Sequence, residues 1–144
     1  MLPELAGGRN EALSSAIHAF AVTLLGVGEG KAKSERASLS SARESYSMAL
    51  GALRRELQPG LRSPSPLLPS QIAAAIMCLL LAELFLPTTL SSWTTHLEGF
   101  AQSMRLAKPE FYASGMRHKL FVGARPILVR QGHRCKCLRI MVWC

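Results

Sequence analysis

Residues 71 to 86 form a stretch that is apolar on every side of a helix, apart from Gln71 and Glu83. A helix without a polar face is stable in a folded protein when other helices surround it. Ser70 is placed to cap its start, and Pro87 ends it. The uncharged run begins earlier, at residue 63, but prolines leave about 14 helix-competent residues, fewer than the roughly 20 that a bilayer requires. The stretch therefore predicts a central helix of a bundle and no membrane span.

Apolar spacings of three and four residues predict two helices before this one. The first is capped by Asn10 and ends at the glycines at positions 26, 28 and 30. Its predicted buried stripe is Leu13, Ile17, Phe20 and Leu24. Residues 31 to 41 mix charge with serine, so an exposed loop is expected there. The second helix ends at Pro59-Gly60, and its predicted stripe is Leu39, Ala42, Tyr46, Ala49, Leu53 and Leu57.

Two more helices are predicted after Pro87. The fourth starts at Ser91 or Ser92 and ends before Pro109, because the residue before a proline disfavours the helical conformation. Its predicted buried face is Trp93, Leu97, Phe100 and Met104. A turn over 109–115 leads to a fifth helix capped by Ser114, which Pro126 should kink or restart. Without a competing strand pattern, the expected fold is all-α, with about five antiparallel helices in hairpin packing.

The net charge of +8 is concentrated at the end of the chain. Residues 1–116 hold ten basic and nine acidic side chains, whereas residues 117–144 hold seven basic side chains and no acidic ones. Such a segment attracts nucleic acid or acidic partners, or is solvated charge at a terminus. We expect an N-terminal tail over 1–9, a helical domain over 10–130 and a basic, cysteine-containing tail over 131–144.

The four cysteines do not predict a disulfide framework, because Cys78 lies in the apolar helix and the other three lie in the last ten residues. This pattern and the lack of a signal peptide favour an intracellular protein. His133, Cys135, Cys137 and Cys144 have the residue types of a zinc site, but not its Cys-x-x-Cys spacing. The glycines at 26, 28 and 30 likewise lack the context of a phosphate-binding loop. No metal and no cofactor is expected.

Glu83, His96 and Arg125 are candidates for a buried polar cluster, because each lies on or near an apolar helix face. A carboxylate that is bonded to imidazole and guanidinium can be buried and can fix the register of helices. We predict a structural role, since no nucleophile accompanies a catalytic Glu/His pair. A small-molecule pocket could be lined by four apolar residues, Trp93, Phe100, Met104 and Phe121. Aromatic residues and methionine at helical spacing usually form the core instead.

Three segments together resemble a known family. Residues 93–121 and Arg125 spell W-x-x-H-x-x-G-F-A, a Pro-Glu turn and G-x-x-H-x-L-F-x-x-x-R. Residues 46–54 spell Y-x-x-A-L-x-A-L-R, and residues 73–85 form an apolar helix with a Leu-x-x-x-Glu segment. By these motifs the chain resembles the helical regulatory domain of fungal-specific transcription factors, which follows a zinc binuclear cluster. The similarity covers roughly residues 10–129, the first part of that longer domain.

The resemblance implies a non-enzymatic regulatory domain in a fungal nucleus that acts through protein partners or self-association. The six cysteines of the DNA-binding cluster are not in this chain, so direct DNA binding is not expected of it. Whether a small molecule acts as effector stays open. A helical scaffold or adaptor unrelated to transcription, and a basic membrane-surface protein, are alternatives. If the domain is partial, an unpaired apolar face near residues 127–129 and 140–143 should cause dimerisation, aggregation or low stability.

Overall fold

The computed structural model describes residues 11–28, 32–58, 68–105 and 108–131, with side chains for 11–28, 38–58, 70–105, 108 and 110–128. These ranges contain five α-helices and no strand, which confirms the all-α prediction. The helices are α1 (Glu11–Gly28), α2 (Ala32–Leu57), α3 (Leu68–Phe85), α4 (Ser92–Met104) and α5 (Gly115–Gln131). A short 3-10 helix, Pro109–Tyr112, precedes α5.

The core lies where α1 packs on α2 and α3, and where α4 packs on α3. Leu79, Leu80 and Phe100 are completely buried there. α4 follows its predicted face, since Leu97, Phe100 and Met104 are buried and Trp93 packs against the core. Phe121 also packs against it, so the four residues considered as a pocket lining belong to the core or contact it.

The buried side of α1 differs from the predicted stripe. It consists of small residues: Ala12, Ala16, Ala19, Thr23 and Gly26. Ile17 and Leu24 are exposed, while Leu13 and Phe20 are only partly buried. Small side chains let α1 approach α2 closely, and a Cβ added at Gly26 would lie 3.3 Å from the Cβ of Ser38. The prediction was wrong because close approach of two backbones selects for small volume over hydrophobicity.

Two helix boundaries also differ from the predictions. α2 begins at Ala32, in the segment expected to be a loop, because its Lys, Glu, Arg and Ala residues are good helix formers even when charged. α5 runs through Pro126 without a break. The carbonyl group that Pro126 leaves without its helical donor belongs to Val122, a residue on the exposed side of α5.

α1 is long and apolar enough to cross a membrane by length and composition, although 28% of it is buried within the fold. A mostly buried core helix of a soluble protein and a signal sequence near the N-terminus pass the same test. The tails over 1–9 and 132–144, and with them the His/Cys group at 133–144, lie outside the described residues.

Candidate functional site

The most distinctive polar feature of the described residues is a buried group centred on Glu83, near the end of α3. Glu83 is 4% exposed, a rare degree of burial for a carboxylate. Its Oε2 accepts a hydrogen bond of 2.9 Å from the backbone N–H of Thr88, and its Oε1 accepts one of 2.5 Å from the Thr88 hydroxyl. Pro87 ends α3 and turns the chain back, which brings Thr88 to this carboxylate.

Tyr46 of α2 joins this carboxylate to α4. Its hydroxyl forms a hydrogen bond with Nε2 of His96, and the two rings meet edge to face, with centroids 5.9 Å apart. The pKa of Tyr46 is raised, first by burial and then by a hydrogen bond to Glu83 and the negative charge of that residue. We call Tyr46, Glu83, Thr88, Ser92 and His96 the Glu83 network.

Hydrogen counting gives a direction to each bond of the network. The Tyr46 hydroxyl also bonds to the Glu83 side chain, whose oxygens can accept its single hydrogen. When that hydrogen is directed to Glu83, the Tyr46 oxygen is free to accept from Nε2 of His96, in the tautomer that carries its hydrogen there. Burial lowers the pKa of His96, opposed by attraction to Glu83, and this favours the neutral imidazole.

The same counting extends the network to the surface. The Thr88 hydroxyl donates to Glu83, so it accepts from the Ser92 hydroxyl at 2.8 Å. Ser92 in turn accepts from Thr89 at 2.6 Å, and the Ser92 backbone N–H donates to the Thr89 oxygen at 3.1 Å. Ser92 is the first residue of α4. The network thus holds α2, the end of α3 and the start of α4 in one arrangement.

The structure places two of the three residues proposed for a polar cluster in this network and the third elsewhere. Glu83 and His96 both face Tyr46, whereas Arg125 is exposed on α5, where Ala124 and Leu128 take the buried side. Tyr46, which was not among the three proposed residues, contacts both Glu83 and His96. The sequence pattern assigned Tyr46 to an apolar stripe. A buried tyrosine hydroxyl usually needs a hydrogen-bond partner, and this requirement is the signal by which Tyr46 could have been identified. The Thr88 contacts depend on the turn after α3, which no sequence motif predicts.

A second buried tyrosine provides a contrast. Tyr112, in the 3-10 helix, is 6% exposed and packs on Phe111 and Phe121, with ring centroids 5.1 Å and 6.2 Å away. Its hydroxyl oxygen is buried without a hydrogen-bond partner, and burial raises its pKa. Arg117 lies 4.2 Å above the Phe111 ring. This end of the domain is therefore held by aromatic packing.

The chemistry available to the Glu83 network is stabilisation. Glu83 has hydrogen bonds with Thr88 and Tyr46. These bonds offset the desolvation free energy of several kcal/mol that an isolated carboxylate costs on burial. Within the part of the chain that the structure describes, three or more His, Cys, Asp or Glu side chains nowhere come together as a metal site. Comparison with known proteins found no matching family model, no matching curated protein and no matching solved structure.

Proposed function

We propose that this chain is a non-enzymatic regulatory and interaction domain of a fungal transcription factor-like protein, which influences transcription through protein contacts. The observation that carries the proposal is the convergence of three separate family-like segments. Tyr46 is the first residue of the Y-x-x-A-L-x-A-L-R segment, Glu83 is the acidic residue of the Leu-x-x-x-Glu segment, and His96 is the histidine of W-x-x-H. These residues belong to one network.

This convergence supports the resemblance for a physical reason. Segments that match a family pattern by chance have no reason to bring their polar positions together across three helices. Residues that build one buried network must be kept together, since removing one partner leaves another buried group unsatisfied. The role that follows is to keep the helices in a fixed arrangement that presents a surface to partners.

A tethering experiment tests the proposal. The full chain is fused to a heterologous DNA-binding domain and expressed in yeast nuclei with a reporter gene downstream of the matching DNA site. We expect a several-fold change in reporter transcription relative to the DNA-binding domain alone. The change should be lost in Tyr46→Phe, which breaks the network, and kept in Tyr112→Phe, which removes a hydroxyl without a partner.

An unchanged reporter, with a fusion protein that is soluble and helical by circular dichroism, would refute the transcriptional role. That result would favour the alternative of a helical scaffold unrelated to transcription.

A further inference from the structure

An exposed apolar surface is formed jointly by α1 and α3. It consists of Ile17, Phe20, Leu24 and Val27 of α1 with Leu81 and Phe85 of α3, and we call it the α1/α3 face. The rings of Phe20 and Phe85 are in contact, with centroids 6.4 Å apart, so the two helices contribute to one continuous surface. Ile17 is 52% exposed and Phe85 is 45% exposed.

The face arises from the way in which α1 packs. Its small residues point to α2 and α3, and this turns the stripe of large apolar residues outward. The polar residues of α3, Ser70, Gln71 and Glu83, are not among the residues of the face. All six side chains of the face are apolar.

The size of the face is that of an interface. Ile17, Leu24, Val27 and Phe85 are 41–52% exposed, and Phe20 and Leu81 are partly exposed. Together they leave on the order of 500 Å² in contact with water, toward the upper end of the largest apolar patches on monomeric proteins. A symmetric pair of such faces covers about 1,000 Å², near the minimum area of a specific protein interface.

We propose that the α1/α3 face binds the same face of a second copy of this chain, to form a two-fold symmetric homodimer. The spacing of the four α1 residues is three, four and three, which places them along one side of the helix, as the interlocking of two identical helices requires. A two-fold axis places an apolar face against its own copy, so each side supplies the complement of the other. The inference does not depend on the proposed role in transcription.

A lipid surface fits the face less well. Helices that lie on membranes carry Lys or Arg along their polar side, and α1 has neither between Glu11 and Gly28. Glu11, the one charged residue of α1, forms an ion pair of 2.6 Å with Arg55 of α2. The charge on this helix therefore offers no attraction to acidic lipids.

Sedimentation equilibrium of the full chain in reducing buffer, which prevents disulfides between cysteines, tests the proposal. At concentrations up to about 100 µM, a range that detects even weak dimers, we expect twice the 15.7 kDa mass of one chain. Ile17→Lys together with Leu24→Lys should give a monomer with an unchanged helical spectrum, because both side chains are already exposed. Met48→Lys is the matched control: Met48 is 67% exposed on α2, outside the face, and its variant should stay dimeric.

A monomeric wild-type chain over this range would overturn the proposal whether or not the variants fold. A double variant that stays dimeric, or a Met48→Lys variant that becomes monomeric, would also overturn it. Flotation with phosphatidylserine vesicles distinguishes the lipid alternative: binding that the wild type shows and the double variant loses would assign the face to a membrane.

Discussion

Removal of one hydroxyl group from each of the two buried tyrosines should have opposite consequences. Tyr46 and Tyr112 are buried to almost the same extent, at 7% and 6% exposure, and both rings pack within the core. The Tyr46 hydroxyl has His96 and Glu83 as partners, whereas the Tyr112 hydroxyl has none. Replacement by phenylalanine keeps each ring and deletes only the hydroxyl group, so the pair isolates the effect of the hydrogen bonds.

The magnitude follows from the partners that are left behind. Tyr46→Phe deprives a carboxylate of one donor, which costs about 1.5–3 kcal/mol, and leaves the Nε2 hydrogen of His96 without its acceptor, which costs about 1 kcal/mol. Because the two losses share one network, we expect a total of about 2–4 kcal/mol. Tyr112→Phe removes a buried polar group that has no partner, so it should be neutral or stabilise the fold by up to about 1 kcal/mol.

Urea denaturation followed by circular dichroism measures both effects. The midpoint should fall for Tyr46→Phe and stay level or rise for Tyr112→Phe, with the slope of the transition unchanged in both. Equal losses in the two variants would refute the reasoning, because equal losses would make ring packing, and not the network, the source of the stability. A Tyr46→Phe protein within about 0.5 kcal/mol of the wild type, inside the usual range of neutral substitutions, would also refute it.

Three further predictions concern other parts of the fold. His96 has a lowered pKa, so below pH about 6.5 the unfolded chain takes up a proton more readily than the folded one. The free energy of unfolding should therefore fall from pH 7.5 to 5.5, and it should fall less steeply in His96→Gln. Parallel pH dependences of the two proteins in urea titrations would contradict this. Phe100→Ala deletes a completely buried ring and should lower the free energy of unfolding by about 3–5 kcal/mol in chemical denaturation, whereas a loss below about 1 kcal/mol would mean that the core is loosely packed. Gly115 has a φ of 69°, so Gly115→Ala should lower stability by about 1 kcal/mol, although an added Cβ would meet nothing within 4 Å. Gly123→Ala is the control: Gly123 lies in the middle of α5 with equally open space, so this change should be neutral or stabilising.

The existence and order of the helices could be predicted from the sequence because proline and glycine mark their ends. α4 is the clearest case: its large apolar residues recur at one spacing, and burial follows size and hydrophobicity there. α1 shows the limit of the same rule. Its large residues form a better stripe than its small ones, but contact with α2 and α3 decides which side is buried, and that contact depends on helices distant in sequence.

Part of the Glu83 network could be predicted from the sequence. Glu83 and His96 could be singled out because a charged or titratable group on an apolar face needs a partner. Their partner could not be derived in the same way, since tyrosine fits an apolar stripe and a polar network equally well. Arg125 shows the opposite case, because a residue next to an apolar stripe can be exposed one position around the helix.

The small-residue side of α1 has a consequence for how this sequence can change over generations. At the buried positions 12, 16, 19, 23 and 26, added atoms must find room between packed helices, and at Gly26 even a Cβ would lie 3.3 Å from Ser38. On the opposite flank, one apolar residue can replace another at little cost to the fold. Side-chain volume, and not hydrophobicity, is thus the property that drift must preserve along the inner side. Relatives of this chain should be recognisable by a recurring pattern of small volumes in their first helix, even where their apolar residues have been exchanged.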